Sequence, residues 1–272
     1  MGIRILCKWG LFRKSAPLCL FLQYLHRGNR ILHLALLSED FFMIAITNLS
    51  KKYDKKIIFN DVTCSLFDRR VYALVGINGI GKSTLLNAIT QSFSIDGGKI
   101  EIDGISSDLF QSKSHFFYVP DNKEMFLNLT GREYLQFVIK LYQQESRKTS
   151  HIIEELSCTF KLDQSLDDYI ANYSLGMKQK IYLIAAFLSG ARNLLLDEPF
   201  NGLDPESAAI LKKMLIQSRD SGCMVLFSVH NLDLVANFCD EVLFITRDRK
   251  IISAVNPKNY ALLENEFFHH CV

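Results

Sequence analysis

Short apolar segments, separated by polar and glycine-rich ones, recur along the chain from about residue 43 onward. Residues 43–70 alternate apolar and polar positions, which predicts antiparallel strands joined by a turn near Asp54. Later runs are short and continuously apolar, a pattern typical of parallel strands that are buried on both faces. They are VYALV at 71–75, HFFYV at 115–119, NLLLD at 193–197, MVLFSV at 224–229 and EVLFIT at 241–246, the predicted last strand. IDGGKIEIDG at 95–104 predicts a turn and an edge strand.

The intervals between these runs favour helix. We predict helices from Lys82 to about Gln91, across 130–162, from Gly176 to Ser189 and from about Pro205 to Ser218. Because strands alternate with helices, we expect an α/β fold whose mostly parallel sheet is covered on both faces.

Composition narrows the class of protein. The chain has 272 residues, of which 49% are hydrophobic and 22% charged, as in a globular protein. A net charge of +2 gives no reason to expect a nucleic-acid partner. Seven cysteines without C-x-x-C spacing indicate free thiols rather than a disulfide framework or a zinc site. No stretch reaches the roughly 20 apolar residues needed to span a bilayer, so we expect any membrane role to use a partner.

Residues 1–42 differ from the rest, since six basic residues accompany a short apolar patch at 18–22. A signal peptide is one interpretation, but the patch is short. An amphipathic membrane-surface segment containing Trp9, Phe12 and Phe21 is another. A third hypothesis is that the extension is not native and that Met43 is the true start. Peptides from residues 1–42 in protein from the native host would refute this last hypothesis.

A glycine-rich motif, GINGIGKST at 76–84, lies between a predicted strand and a predicted helix. It fits G-x-x-x-x-G-K-[ST], and its context is the one that a phosphate-binding loop requires. Backbone N–H groups and the helix N-terminus would hold phosphates, Lys82 would reach the outer phosphates, and Ser83 would offer a hydroxyl to Mg²⁺. The predicted nucleotide-binding residues here are Gly76, Asn78, Gly79, Gly81, Lys82, Ser83 and Thr84.

Two acids follow the apolar strand in NLLLDEP at 193–199. Asp197 would lie at the carboxyl end of this strand, where ligands bind in open α/β sheets, and we expect it to hold Mg²⁺ through water. Glu198 would polarise the attacking water as a general base. An ordinary acidic turn before Pro199 is the alternative, which the upstream phosphate-binding loop makes less attractive.

The segment NYSLGMKQK at 172–180 resembles the signature motif of ABC ATPases, usually written LSGGQ. Ser174 and Gly176 match its serine and second glycine, whereas Leu175 and Met177 depart from it. The resemblance implies that Ser174 and Gly176 act on the nucleotide held by a second ABC subunit. From the residues alone, the segment also fits a capped helix start with a basic face.

From Met43 to its end, the chain is similar to an ABC ATPase domain. The resemblance implies a domain at 43–272 with a P-loop α/β core, an antiparallel β subdomain and a helical subdomain at about 122–180. ATP and Mg²⁺ are the cofactors that it implies.

Four further positions correspond to functional positions of the family, and the last of them, Asp121, departs from the usual residue. Tyr53 resembles the aromatic residue on which adenine stacks, although it also fits a strand-edge tyrosine. Asp204, in NGLDP at 201–205, resembles the residue that contacts the second subunit, although the segment also fits a plain Asn-Gly turn. His230 matches the histidine near the γ-phosphate. Asp121 stands where many relatives have glutamine, and its carboxylate would reach Mg²⁺, most simply through water.

The resemblance implies an ATP-hydrolysing subunit, with Lys82, Glu198 and His230 as catalytic residues. It would pair with itself or a relative at the cytoplasmic face of the membrane and drive a separate transmembrane permease, with a lean toward export. Five apolar residues are candidates for contact with that permease, and helix core is the alternative for each: Phe126, Leu127, Leu129, Tyr134 and Phe137. The alternative functions are a soluble ABC-class ATPase acting on ribosomes or nucleic acid, and a regulatory module without catalysis.

We predict that Asp121→Ala lowers Mg²⁺-dependent ATPase activity and leaves nucleotide binding largely intact, because the change removes a metal-directed carboxylate. Hydrolysis is measured against Mg²⁺ concentration, and nucleotide affinity is measured separately. Hydrolysis that is unchanged at limiting Mg²⁺ would show that Asp121 has no metal role.

Overall fold

Two β-sheets and seven α-helices make up the described part of the computed structural model, residues 42–144 and 149–272. The prediction about residues 1–42 therefore lies almost wholly outside the described residues and stays a prediction. In the described ranges, no helix combines the length and apolar character needed to cross a lipid bilayer.

The smaller sheet is antiparallel and has the order β2-β1-β4-β5. Its strands are β1 (Phe42–Tyr53), β2 (Lys56–Phe67), β4 (Gly97–Ile102) and β5 (Ile105–Ser106). Asp54, with a φ of 51°, forms the predicted turn between β1 and β2. The prediction of an edge strand at 95–104 is wrong, because β4 pairs with β1 on one side and with β5 on the other.

The core sheet has the order β10-β9-β3-β8-β7-β6 and confirms the predicted mostly parallel sheet. Its strands are β3 (Val71–Val75), β6 (Phe116–Val119), β7 (Asn193–Leu196), β8 (Met224–Ser228), β9 (Glu241–Ile245) and β10 (Ile251–Val255). Only β10 is antiparallel to its neighbour in this sheet. The prediction that 241–246 is the last strand is wrong. Strand β10 lies at the edge of the sheet and contains no buried residue, although its sequence, IISAV, is largely apolar.

The helices are α1 (Lys82–Ile89), α2 (Gly131–Leu141), α3 (Thr149–Thr159), α4 (Leu175–Leu188), α5 (Pro205–Asp220), α6 (Leu232–Ala236) and α7 (Tyr260–Cys271). Three-ten turns cover Phe110–His115, Asp163–Ser165 and Ile170–Asn172. The predicted helix over 130–162 is two helices, because α2 ends before Gln143, whose φ is 54°. Sequence analysis missed α6, which is too short to show periodicity, and α7, whose start Asn259 caps by accepting from Leu262 N.

Apolar residues cover both faces of the core sheet. Along β3, Val71, Ala73 and Val75 belong to the cluster shared with α4 and α5, whereas Tyr72 and Leu74 belong to the cluster shared with α1 and the smaller sheet. Burying a strand on both faces fixes its register, because a shift of one residue would move each side chain to the opposite face.

The carboxyl ends of the parallel strands therefore share one edge of the sheet. In register, Val119 of β6 stands opposite Leu196 of β7, Leu196 opposite Phe227 of β8, and Leu74 of β3 opposite Ser228. The segments that follow β3, β6, β7 and β8 contain most of the residues singled out in the sequence, so the fold brings them to this edge.

Candidate functional site

The loop at 76–81 connects β3 to α1 and depends on glycine. Gly79 and Gly81 have φ values of 72° and 129°, which residues with a side chain rarely adopt. A Cβ on Gly81 would also stand 2.7 Å from the Ile58 side chain, so the loop packs too closely against β2 for a larger residue.

Helix α1 directs unpaired N–H groups at this loop. Its first intrahelical bond runs from Leu85 N to Gly81 O (2.9 Å), so the amides of residues 82–84 precede any i−4 acceptor in the helix. Its first turn contains no acidic side chain. The predicted residues Asn78, Ser83 and Thr84 lie in or directly after the loop, and Ser83 is exposed. Free amides and the positive end of the helix dipole together favour an anion such as phosphate.

Lys82 supplies a cation beside these amides. Its side chain is largely buried, and Nζ donates to Gly76 O (3.0 Å) across the loop. Burial lowers the pKa of Lys82, while Glu198 and Asp197 counteract this by favouring the charged form. The ammonium therefore lies in the electrostatic field of the two acids that follow β7.

Ser228 joins those two acids. The carboxylate of Asp197 is only 2% exposed, and its Oδ1 accepts from Ser228 Oγ (2.5 Å). The same hydroxyl oxygen accepts from Glu198 N (2.8 Å). Sequence analysis missed Ser228 as a functional residue. Its position as the last residue of the strand next to β7 was the signal that could have found it.

Glu198 has an uncommon backbone conformation, and its carboxylate contacts a histidine. Its φ is 49°, in the left-handed region, where non-glycine residues cluster at functional sites. Oε2 lies 3.0 Å from His230 Nδ1. Because an ionised carboxylate only accepts, Nδ1 carries the proton in this contact. His230 thus orients the carboxylate of Glu198, the predicted general base, and the place of His230 near a γ-phosphate stays a prediction.

Asp121 follows β6 at the same edge and is exposed. Two residues later, Lys123 is only 4% exposed, and its Nζ donates to Pro120 O and to Asp121 O (3.0 Å). Burial lowers the pKa of Lys123 to about 8, against the opposing effect of Asp121 and Asp197. Sequence analysis missed Lys123, because nothing in a polar loop sequence indicates that its lysine is buried.

Tyr53, the predicted adenine platform, lies at the end of β1 and is 46% exposed. Its ring centroid is 5.9 Å from that of Phe93 in an edge-to-face arrangement. Lys51 Nζ lies 5.0 Å from the Tyr53 centroid and 4.7 Å from that of Phe93. These contacts support the ring and leave part of it open to a ligand.

Ser174 and Gly176 stand at the start of α4. Ser174 caps the helix by accepting from Met177 N (3.2 Å), as the simpler interpretation of the sequence expected. A Cβ on Gly176 would stand 2.6 Å from Gly202 O, and Gln179 Nε2 donates to Pro199 O (2.8 Å). The structure thus groups the predicted signature motif with the segment that follows Glu198.

Asp204 in that segment is a helix cap. Its Oδ1 accepts from Ser207 N (2.8 Å), and its Oδ2 accepts from Ser207 Oγ (2.8 Å) and Lys180 Nζ (2.9 Å). The hydrogen bond from Ser207 N, with those from Lys180 and the Ser207 hydroxyl, holds its pKa well below the usual range. Contact between Asp204 and a second subunit stays a prediction.

Of the five apolar candidates for partner contact, Tyr134 belongs to the helix core. It is 3% exposed, which contradicts a surface role. Phe126, Leu127 and Leu129 are partly buried against the core cluster, and Phe137 is 44% exposed.

An anion-binding loop with a lysine, a buried aspartate and an oriented glutamate at one sheet edge define a nucleotide-hydrolysing P-loop protein. The family model described as ABC transporter matches residues 59–201, and the chain belongs to this family. It is an ATP-binding subunit that binds and hydrolyses ATP.

Individual relatives of this chain are also named as ATP-binding proteins or subunits. AlbC of Bacillus subtilis (strain 168), named as an ABC transporter ATP-binding protein, is 30% identical over 234 residues, which cover 83% of this chain and 97% of the relative. The lipopolysaccharide export system ATP-binding protein LptB of Haemophilus influenzae is 28% identical over 79% of this chain and 91% of its own. A solved ATP-binding subunit of an ABC transporter superposes with a TM-score of 0.77 and 25% identity, over 83% of this chain and 99% of that one.

We predict that Ser228→Ala lowers kcat about tenfold, because the buried Asp197 carboxylate loses a donor and the partly buried Glu198 amide loses its acceptor. A buried polar group left unpaired costs about 1–3 kcal/mol. Single-turnover ATP hydrolysis measures the effect.

The matched control is Ser189→Ala. Ser189 is also fully buried, and its hydroxyl donates to Ala186 O and accepts from Ala191 N at the far end of α4. An equal loss of kcat in both variants would show that Ser228 acts only through stability.

Proposed function

We propose that this chain couples ATP hydrolysis to the movement of a substrate through a separate transmembrane subunit, at the cytoplasmic face of the membrane and in the direction of export. The observation that carries the catalytic part is the bond of Ser228 to both Asp197 and Glu198, with Glu198 also bound to His230. This connected network favours a subunit that hydrolyses ATP over a regulatory module that does not.

Magnesium is part of the proposal. Across the described residues, no group of three or more His, Cys, Asp or Glu side chains is arranged to hold a metal ion by itself. Mg²⁺ in nucleotide sites is commonly bound by one or two carboxylates together with phosphate oxygens and water. The hydroxyl of Ser83 and the carboxylates of Asp197 and Asp121 provide such a donor set, so the residues fit Mg²⁺ that arrives with ATP. When bound, the ion would neutralise charge on the phosphates.

In the proposed reaction, the α1 N-terminus and Lys82 bind and orient the phosphates. Glu198 accepts a proton from the attacking water, and the His230 contact keeps the carboxylate turned toward the phosphate end of the site. A positioned general base of this kind contributes about 10²–10⁴ in rate. Tyr53 would stack on adenine.

A second ABC subunit is also proposed. Ser174, Gly176 and Asp204 would act on the nucleotide of that subunit, which is either a second copy or a relative. The close packing of Gly176 on Gly202 supports one continuous surface formed by the signature motif and the loop after Glu198. Because Ser174 caps α4 as a hydrogen-bond acceptor, its hydroxyl proton stays available for donation to a ligand.

The export direction rests on what similar proteins are named for, LptB among them. Two exposed apolar residues support a protein partner on this side: Met125, in the segment after β6, and Phe137, whose ring centroid lies 5.8 Å from that of Phe126 in the same segment. A soluble ATPase acting on ribosomes or nucleic acid has no comparable observation in its favour.

We expect Glu198→Gln to lower kcat about 10²–10⁴-fold with ATP affinity retained, because the amide cannot accept the water proton but keeps the shape of the side chain. ATP turnover and equilibrium binding of ATP are the two measurements. Wild-type turnover in this variant would exclude Glu198 as the base.

The same variant tests the partner. Glu198→Gln with ATP and Mg²⁺ is used to capture partners from detergent-solubilised membranes of the native host, and Lys82→Ala, which we expect to weaken phosphate binding, is the control. Recovery of a multi-spanning membrane protein by Glu198→Gln alone supports the transporter proposal. Recovery of ribosomes or nucleic acid without a membrane protein would contradict it.

A further inference from the structure

Lys123 is a buried lysine that the proposed reaction does not use. Lysine is almost never fully buried unless its charge is paired, yet this side chain is only 4% exposed. The acceptors of its ammonium are the carbonyls of Pro120 and Asp121, in its own loop. The turn at 120–123 is therefore closed around a cation.

This turn belongs to a segment that is fastened at three places. At its start, Asp197 N donates to Val119 O (2.8 Å). In the middle, Lys123 bonds the two carbonyls. At its end, Tyr182 Oη, from α4, donates to Met125 O (2.7 Å). Asp121 lies between the first and second of these contacts, so the backbone that carries its carboxylate depends directly on Lys123.

The positive charge of Lys123 gives a second reason for a lysine at this position. Asp121 and Asp197 both interact electrostatically with the Lys123 ammonium. Two carboxylates that converge on one metal site repel each other while the metal is absent, and a neighbouring fixed cation reduces that repulsion. The Lys123 ammonium thus stabilises the turn through hydrogen bonds, and its charge reduces the repulsion between the two carboxylates.

Direct binding of phosphate by Lys123 is less well supported. Two of its three N–H donors are used by carbonyls, and moving the ammonium toward a ligand would leave those carbonyls without a donor. A surface lysine poised for phosphate would instead be exposed.

We propose that Lys123 is a positioning residue of the ATPase site: its ammonium holds the 120–123 turn in the conformation that presents Asp121 to Mg²⁺, and so sets the metal affinity of the site. This inference rests on the proposed role of Asp121 in binding Mg²⁺.

The test compares Lys123→Met with Lys113→Met. Lys113 is a matched control, since its ammonium also donates to two backbone carbonyls, Thr90 O (2.8 Å) and Ser107 O (3.0 Å), in a different part of the structure. Thermal unfolding by circular dichroism checks that both variants fold.

The first readout is hydrogen exchange in protein free of nucleotide and metal. We expect backbone amides of residues 121–125 to exchange about tenfold faster in Lys123→Met and at the wild-type rate in Lys113→Met. Unchanged exchange in a folded Lys123→Met would overturn the claim that the ammonium holds the turn. This readout does not require ATPase activity, so it separates a failure of this inference from a failure of the proposed function.

The second readout is Mn²⁺ binding, followed by electron paramagnetic resonance in the presence of a non-hydrolysable ATP analogue. We expect the Mn²⁺ dissociation constant to rise about fivefold in Lys123→Met and to stay unchanged in Lys113→Met. In an Asp121→Asn background, Lys123→Met should not weaken Mn²⁺ binding further, because the residue that it positions has lost its charge. Unchanged or tighter Mn²⁺ binding in Lys123→Met would overturn the proposal, since loss of a cation alone strengthens metal binding.

If Lys123→Met does not fold, Lys123→Gln takes its place, because the amide keeps one donor and removes the charge. We then expect a smaller rise in the Mn²⁺ dissociation constant that Lys123→Arg, which keeps the charge and the donors, does not show. Equal constants in Lys123→Gln and wild type would refute the positioning role.

Discussion

Parallel pairing of β3, β7 and β8, each buried on both faces, is the constraint on which the nucleotide site depends. Apolar burial on both faces fixes the register, and the register places the carboxyl ends of the strands side by side. Segments that are far apart in the chain, the loop at 76–81, Asp197 and Ser228, meet at that edge for this reason. The site is thus a consequence of how the apolar strands pack.

Charge compensation stabilises the acidic residues at this edge of the core sheet. Asp197 is buried, and a buried charge is costly unless it is hydrogen-bonded and paired. Ser228 supplies a hydrogen bond, Lys82 supplies positive charge from the start of α1, and Lys123 supplies it from the segment after β6. Low local dielectric strengthens each of these interactions and makes the loss of any one costly.

Helix α4 connects this edge to the rest of the protein. Ser174 caps its start, Gln179 donates to Pro199 O just after Glu198, and Tyr182 donates to Met125 O in the segment after β6. A single helix therefore contacts the segments that carry Glu198 and Asp121. A displacement of α4 would therefore reach both segments through these hydrogen bonds.

Features that depend on residues close together in the chain could be predicted from the sequence. They are the glycine-rich loop and helix start at 76–84, the short buried strands, and Asp197 and Glu198 at the end of one of these strands. Three features could be seen only in the folded chain: Ser228 joins the two acids, Lys123 is buried, and the last strand is an exposed edge at 251–255. The difference arises from how far apart in the sequence the interacting residues lie. Local motifs record backbone geometry and burial along one segment, whereas hydrogen bonds between strand ends depend on the register of segments that the sequence keeps far apart.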